Sequence, residues 1–142
     1  MRKLISASIL AVIAVFTLMS CDLGDSDAPA YDFELVAIDS VDMPETVALG
    51  TTREIKVYYR RPTACHFYDG FYYEKNLNVR TVALQMRVLA GQTCQPLQEE
   101  AATASFNFYV SNSGSYTFKF YKGKDSSGNN LFLEYQVPVT GG

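Results

Sequence analysis

The chain has 142 residues, with 12 basic and 15 acidic side chains and a formal net charge of −3. That balance disfavours a nucleic-acid partner, because neutralising phosphates needs a basic face. With a single histidine, a zinc site would lack ligands and a histidine-based catalytic site would have one candidate only; neither metal nor cofactor is expected.

The chain opens MRKLISASILAVIAVFTLMSC. Arg2 and Lys3 make a basic start, an apolar run extends from Leu4 to Met19, and small Ser20 precedes Cys21, the layout of a secretory signal peptide. The apolar run is shorter than the ~20 residues a spanning helix needs. Leu18-Met19-Ser20-Cys21 resembles the lipobox of bacterial lipoproteins. The resemblance implies loss of residues 1–20, a lipid on the Cys21 sulfur and usually an acyl chain on its new amino group. Stable anchoring takes about two such chains, so the implied partner of Cys21 is a membrane. Residues 21–30, CDLGDSDAPA, read as an acidic, solvated tether. An acidic stretch at this place resembles the surface-export signal of Bacteroidota lipoproteins, whereas in proteobacteria Asp after the Cys implies inner-membrane retention. The first is preferred, which predicts an outer-membrane lipoprotein at the cell surface or on the periplasmic face.

From residue 31 to 142 the pattern has period two, the mark of half-buried strands. One strand is predicted over Phe33–Asp39 and a short one over Val47–Leu49. In REIKVYYRR, Ile55, Val57 and Tyr59 share a face opposite Glu54, Lys56, Tyr58 and Arg60. The stretch TACHFYDGFYYEK, residues 63–75, sorts Cys65, Phe67, Phe71 and Tyr73 to the inner face, and His66, Tyr68 and Tyr72 to the outer. Asp69 would then point inward, so Asp69-Gly70 is either a bulge, which is preferred, or a two-residue hairpin. In RTVALQMRV, Val82, Leu84, Met86 and Val88 alternate with Thr81, Ala83, Gln85 and Arg87. Residues 97–104 suggest a short turn. Strands follow in SFNFYV, SYTFKFYK and LFLEYQVPV, the last two joined by GKDSSGNN. That loop is superficially calcium-like, but its acidic residues do not fit EF-hand spacing, and a solvated hairpin is expected.

Seven or eight short antiparallel strands predict an all-β sandwich. NSGSYTF, with Tyr116 two residues after Gly114, resembles the tyrosine corner of immunoglobulin-like domains and implies that variety of sandwich; the antibody Trp and Cys pattern is absent. Cys65 and Cys94 form an even pair in an exported chain, so a disulfide is the default. The whole is similar to small Bacteroidota-type lipoproteins with an immunoglobulin-like domain, through RRP, the paired Cys, DGFYY, RTVAL and GSYTFKFYKGKDSSG. That resemblance implies location and fold and carries no activity. Asp39-Ser40-Val41 resembles the O-glycosylation triplet of the same group.

Much of the aromatic stretch is expected to be architecture. Its outward rings, His66, Tyr68 and Tyr72, with Tyr58, are the candidate binding platform, since flat rings with polar tips suit sugar faces and peptides. No nucleophile motif surrounds His66 and no phosphate-binding glycine loop occurs. The expected function is a membrane-anchored, non-catalytic module that binds a glycan, a peptide or an envelope protein. The alternatives are a structural subunit of an envelope assembly and an exported protease inhibitor presenting 90-AGQTCQPLQEE-100.

Overall fold

A computed structural model describes residues 29–97 and 100–141; the expected signal peptide, the expected lipid anchor Cys21 and most of the expected tether lie outside the described residues. Alternation of large apolar and polar side chains yields nine strands among them: β1 (Tyr31–Val36), β2 (Ile38–Asp42), β3 (Val47–Ala48), β4 (Thr52–Arg60), β5 (His66–Asn76), β6 (Val79–Leu89), β7 (Ala101–Tyr109), β8 (Ser115–Lys124) and β9 (Asn130–Thr140). They form two open sheets. The larger runs β3-β9-β8-β6-β5, with β1 also on β6, and the smaller runs β2-β4-β7. Their apolar faces meet as a β-sandwich, as the sequence pattern predicts.

The core is the set of inward positions. Ile55, Val57 and Tyr59 of β4 face Val82, Leu84 and Met86 of β6, all buried. Phe118 and Phe120 of β8 stack 6.0 Å apart, and Phe108 of β7 meets Tyr116 and Phe118 edge-on, both at 4.9 Å. Each such side chain stabilises the fold by about 1.5–3 kcal/mol through burial, and the ring pairs add about 0.5–1.5 kcal/mol each.

Three features differ from the sequence reading. The single strand expected over Phe33–Asp39 is two strands in different sheets, separated by Ala37: Val36 pairs with Leu84 of β6, and Ile38 with Tyr59 of β4. Both residues are buried, because the segment crosses the rim between the sheets. Residues 101–104, expected in a turn, belong to β7, whose Ala-rich start is held by pairing from Ala101↔Arg60 onward. Pairing context overrides weak strand propensity there. Finally, two pairings are parallel rather than antiparallel, β6 with β8 and β3 with β9. One side of β6 is thereby shared, with Val79–Val82 on β8 and Leu84–Leu89 on β1, while β5 takes the other.

The corner at the start of β8 forms as the sequence suggests. The Tyr116 ring is fully buried, and its hydroxyl accepts the Asn112 backbone N–H at 2.8 Å. Asn78, in the β5–β6 turn, braces the same corner by donating to the Ser113 and Ser115 carbonyls and accepting from Asn112. Strand order departs from that of immunoglobulin domains, where C, the strand after B, neighbours F. With β4 in the place of B and β8 in that of F, β8 is flanked by β6 and β9 and not by β5. Tyr116→Phe keeps the ring and deletes the acceptor, so chemical denaturation is expected to show a loss of about 1 kcal/mol.

The GKDSSGNN loop is a self-contained turn. Asp125 Oδ1 accepts the Ser127 and Asn129 amides at 2.8 and 2.9 Å, and Oδ2 accepts the Asn129 side chain at 3.1 Å. These bonds, the Asn129 side chain's foremost, hold the Asp125 carboxyl below its ordinary value of 3.8. A carboxyl depressed by folding stabilises above its unfolded value and loses that effect as pH falls through the folded one. Exchange protection of the Ser127 and Asn129 amides should therefore persist at neutral pH and collapse below 3.8, and Asp125→Ala should abolish it at every pH.

Candidate functional site

The aromatic stretch is one strand with a bulge. Pairing of β5 to β6 runs regularly from His66↔Val88 to Tyr68↔Met86, slips, and resumes at Gly70↔Gln85. Asp69 is the extra residue, and it reverses the facing of everything before it. Carrying one alternation through the bulge is what misassigns Phe67, His66 and Tyr68 in the sequence reading. His66 and Tyr68 lie on the inner side with Phe71 and Tyr73, whereas Phe67 and Tyr72 face out.

The four predicted platform residues are consequently not brought together. His66 is 5% exposed. Its Nδ1 bonds the Thr63 hydroxyl in the preceding loop at 2.8 Å and its Nε2 bonds Glu34 of β1 at 3.1 Å, so both ring nitrogens are already engaged. Tyr68 sits at the rim, edge-on to Phe71 at 5.9 Å, and burial raises its hydroxyl pKa. Tyr58 lies on the outer face of the smaller sheet and donates to Asp42 at 2.7 Å; that bond is the largest cause of its raised pKa. Tyr72 alone stands on the outer face of the larger sheet, donating to Glu74 at 3.0 Å, which likewise raises its pKa.

A different platform surrounds Tyr72. Register sets Phe33 of β1 and Phe67 of β5 on either side of Arg87 of β6, about two strand spacings, or roughly 10 Å, apart. Tyr31 and Leu35 extend the row along β1, and Tyr72 extends it along β5. Their exposures are Tyr31 38%, Phe33 65%, Leu35 43%, Phe67 40% and Tyr72 46%. At 150–250 Å² per aromatic side chain, this leaves on the order of 500 Å² of mainly apolar surface, a size at which patches on monomers are often functional.

The centre of the strip is polar but internally matched. The Arg87 Nε meets Asp69 at 3.0 Å, its guanidinium lies 5.4 Å from the Tyr31 ring centroid, and Gln85 donates to Asp69 at 2.9 Å. The bulge thus turns an acid that would otherwise face the core into the counter-ion of the strip. The arrangement offers an apolar, shape-bearing face with a neutralised ion pair at its middle, suited to association rather than to proton transfer. Sequence reading missed Tyr31, Phe33, Leu35, Phe67 and Arg87 as a group because they come from three strands. The available signal was the alternation Tyr31, Phe33, Leu35 beside the acidic Asp32 and Glu34.

The candidate inhibitory segment is tied down where it is described. Cys94 is bonded to Cys65, the Ala64 amide donates to Gln95, and the Leu97 amide to Pro62, so residues 94–97 lie against 62–65. No family model, curated protein or solved structure matches this chain.

Proposed function

We propose that the protein is a lipid-anchored, non-catalytic binding module of the bacterial envelope that seats another protein on the outer face of its larger sheet. The observation that carries this reading is the strip of Tyr31, Phe33, Leu35, Phe67 and Tyr72, exposed on one face of an otherwise well-filled sandwich. A protein partner is favoured over a glycan because Phe33 and Leu35, at the heart of the row, have no polar tips to bond sugar hydroxyls. The lipobox-like Leu18–Cys21 and the short acidic segment before Tyr31 support a tethered location in which β1 is the first element beyond the anchor. Enrichment in aromatic residues and Arg marks protein interfaces, and the strip has both, with the charge of Arg87 matched by Asp69.

A photo-crosslinking side chain placed at Leu35 or Tyr72 in living cells tests the proposal, with Thr103 on the far face as control. The expected result is a discrete adduct with a second protein from the first two positions and none from Thr103. Adducts from neither face, or from Thr103 equally, would reject the reading, and a polysaccharide adduct would move the ligand class to glycans. Mass spectrometry of the same preparation tests the anchor, with a diacylated or triacylated Cys21 as the expected new N-terminus.

A further inference from the structure

A second feature, independent of the outer strip, lies at the opposite rim. Arg80 has the same facing as Val82, Leu84 and Met86, so a guanidinium points between the sheets, and the residue is only 3% exposed. Its Nη1 donates to the carbonyls of Leu77 and Val79 at 2.6 and 2.9 Å. The guanidinium carbon lies 4.8 Å from the Tyr116 ring centroid and 5.9 Å from that of Phe108. Two carbonyls and two ring faces offset part of the desolvation of a buried cation. They do not complete it: Nε is buried without a hydrogen-bond partner, and no carboxylate among the described residues forms an ion pair with Arg80.

Arg80 borders a groove of about 430 Å³ whose walls include Phe71, Tyr73, Phe106 and Tyr109, with Lys75 also lining it. The groove runs between β5 and β7, the free edges of the two sheets. Its volume is in the range of small-ligand sites, which pair apolar walls with a few placed polar groups. Tyr73 lines the same groove as Arg80; burial raises its hydroxyl pKa, and the neighbouring guanidinium opposes that shift. What the groove lacks is the anion that Arg80 needs.

We propose that this groove binds a carboxylate carried on a flat apolar body, with the carboxylate meeting Arg80 and the body lying against the wall that the edge-packed rings of Phe71 and Phe106 form with Tyr109. Such a group occurs on a free aromatic acid and at the C-terminus of a peptide ending in an aromatic residue. In the second case the free edges of β5 and β7 offer backbone partners for the preceding residues.

The test is an NMR titration of the full processed protein in detergent micelles with 3-phenylpropionate, and with 3-phenylpropanol as the uncharged counterpart. The expected result is saturable shifts of the Tyr73, Phe106 and Phe108 rings with the acid, and binding at least about tenfold weaker with the alcohol, as loss of a charge-assisted hydrogen bond requires. Arg80→Met should abolish the preference for the acid. Should that variant fail to fold, Tyr109→Ala, at an exposed wall position, should weaken the acid while leaving the protein folded. A peptide ending in free Phe against its amide separates the two sources: tighter binding of the free-acid peptide than of phenylpropionate assigns a chain terminus, and the reverse assigns a small acid. Equal binding of acid and alcohol, no saturable shift in the millimolar range, or shifts confined to the outer strip would overturn the proposal.

Discussion

Truncating Phe118 to alanine is expected to destabilise the protein by about 4 kcal/mol, the middle of the range for a buried Phe→Ala change. Phe118 is fully buried, and it links the two halves of the core. It stacks on Phe120 with an interplanar angle of 8° and receives the edge of Phe108 from the facing sheet. Removal forfeits its transfer free energy and both ring contacts, and leaves a cavity that neighbours on two rigid sheets cannot close. Against a total stability of about 5–15 kcal/mol, that is a large fraction. Urea denaturation checks it: the midpoint should fall sharply at an unchanged slope. Phe33→Ala, a ring of the same size at 65% exposure, should change stability by less than about 1 kcal/mol. A small effect at Phe118 would mean that the sheets do not pack as described.

Replacing Cys65 and Cys94 together by alanine is expected to lower stability by about 3 kcal/mol. The bond joins residues separated by 29 in sequence, and closing a loop of that size constrains the unfolded chain by roughly 3–4 kcal/mol on the chain-entropy argument. Its Cα–Cα distance of 5.8 Å lies in the ordinary range, so little is lost to backbone distortion. For a domain of this size the change corresponds to a fall in Tm of about 10–15 °C. Circular-dichroism melts of the wild type with and without reductant should bracket the same interval, and the double variant should be indifferent to reductant. The local consequence falls at Ala64 and Leu97, whose amides bond across the two segments that the bridge holds together; their hydrogen exchange should accelerate most. The outer strip should be altered less at β1 than at the start of β5.

The sandwich was legible because its strands alternate cleanly. Ile55, Val57 and Tyr59, or Tyr116, Phe118 and Phe120, can be assigned a face from spacing alone, and burial agrees with each. The tyrosine corner was legible for a local reason: its hydroxyl and the Asn112 amide are four residues apart. What could not be read is what depends on pairing. Ala37 gives no local sign that the chain changes sheets there, because Val36 and Ile38 are both inward whichever sheet they join. The bulge at Asp69 was anticipated, but its effect on facing follows from which side of it is anchored to β6. The outer strip is the extreme case. Phe33 and Phe67 lie 34 residues apart in the chain and become neighbours only through Arg87, which pairs with both. Arg80 is the converse, since the alternation alone puts this cation in step with Val82, Leu84 and Met86 and so marks it as an inward charge.

The most direct test of the outer face as the working surface is the affinity of the crosslinked partner, once identified, for the wild type, Phe33→Ser/Phe67→Ser and Tyr58→Ala. Central aromatic anchors commonly carry about 2 kcal/mol or more each. The double variant, still folded, should therefore bind at least about 100-fold more weakly, while Tyr58→Ala on the opposite sheet should bind within about twofold of the wild type. Undiminished binding by the folded double variant, or a larger loss from Tyr58→Ala, would contradict the assignment of this face.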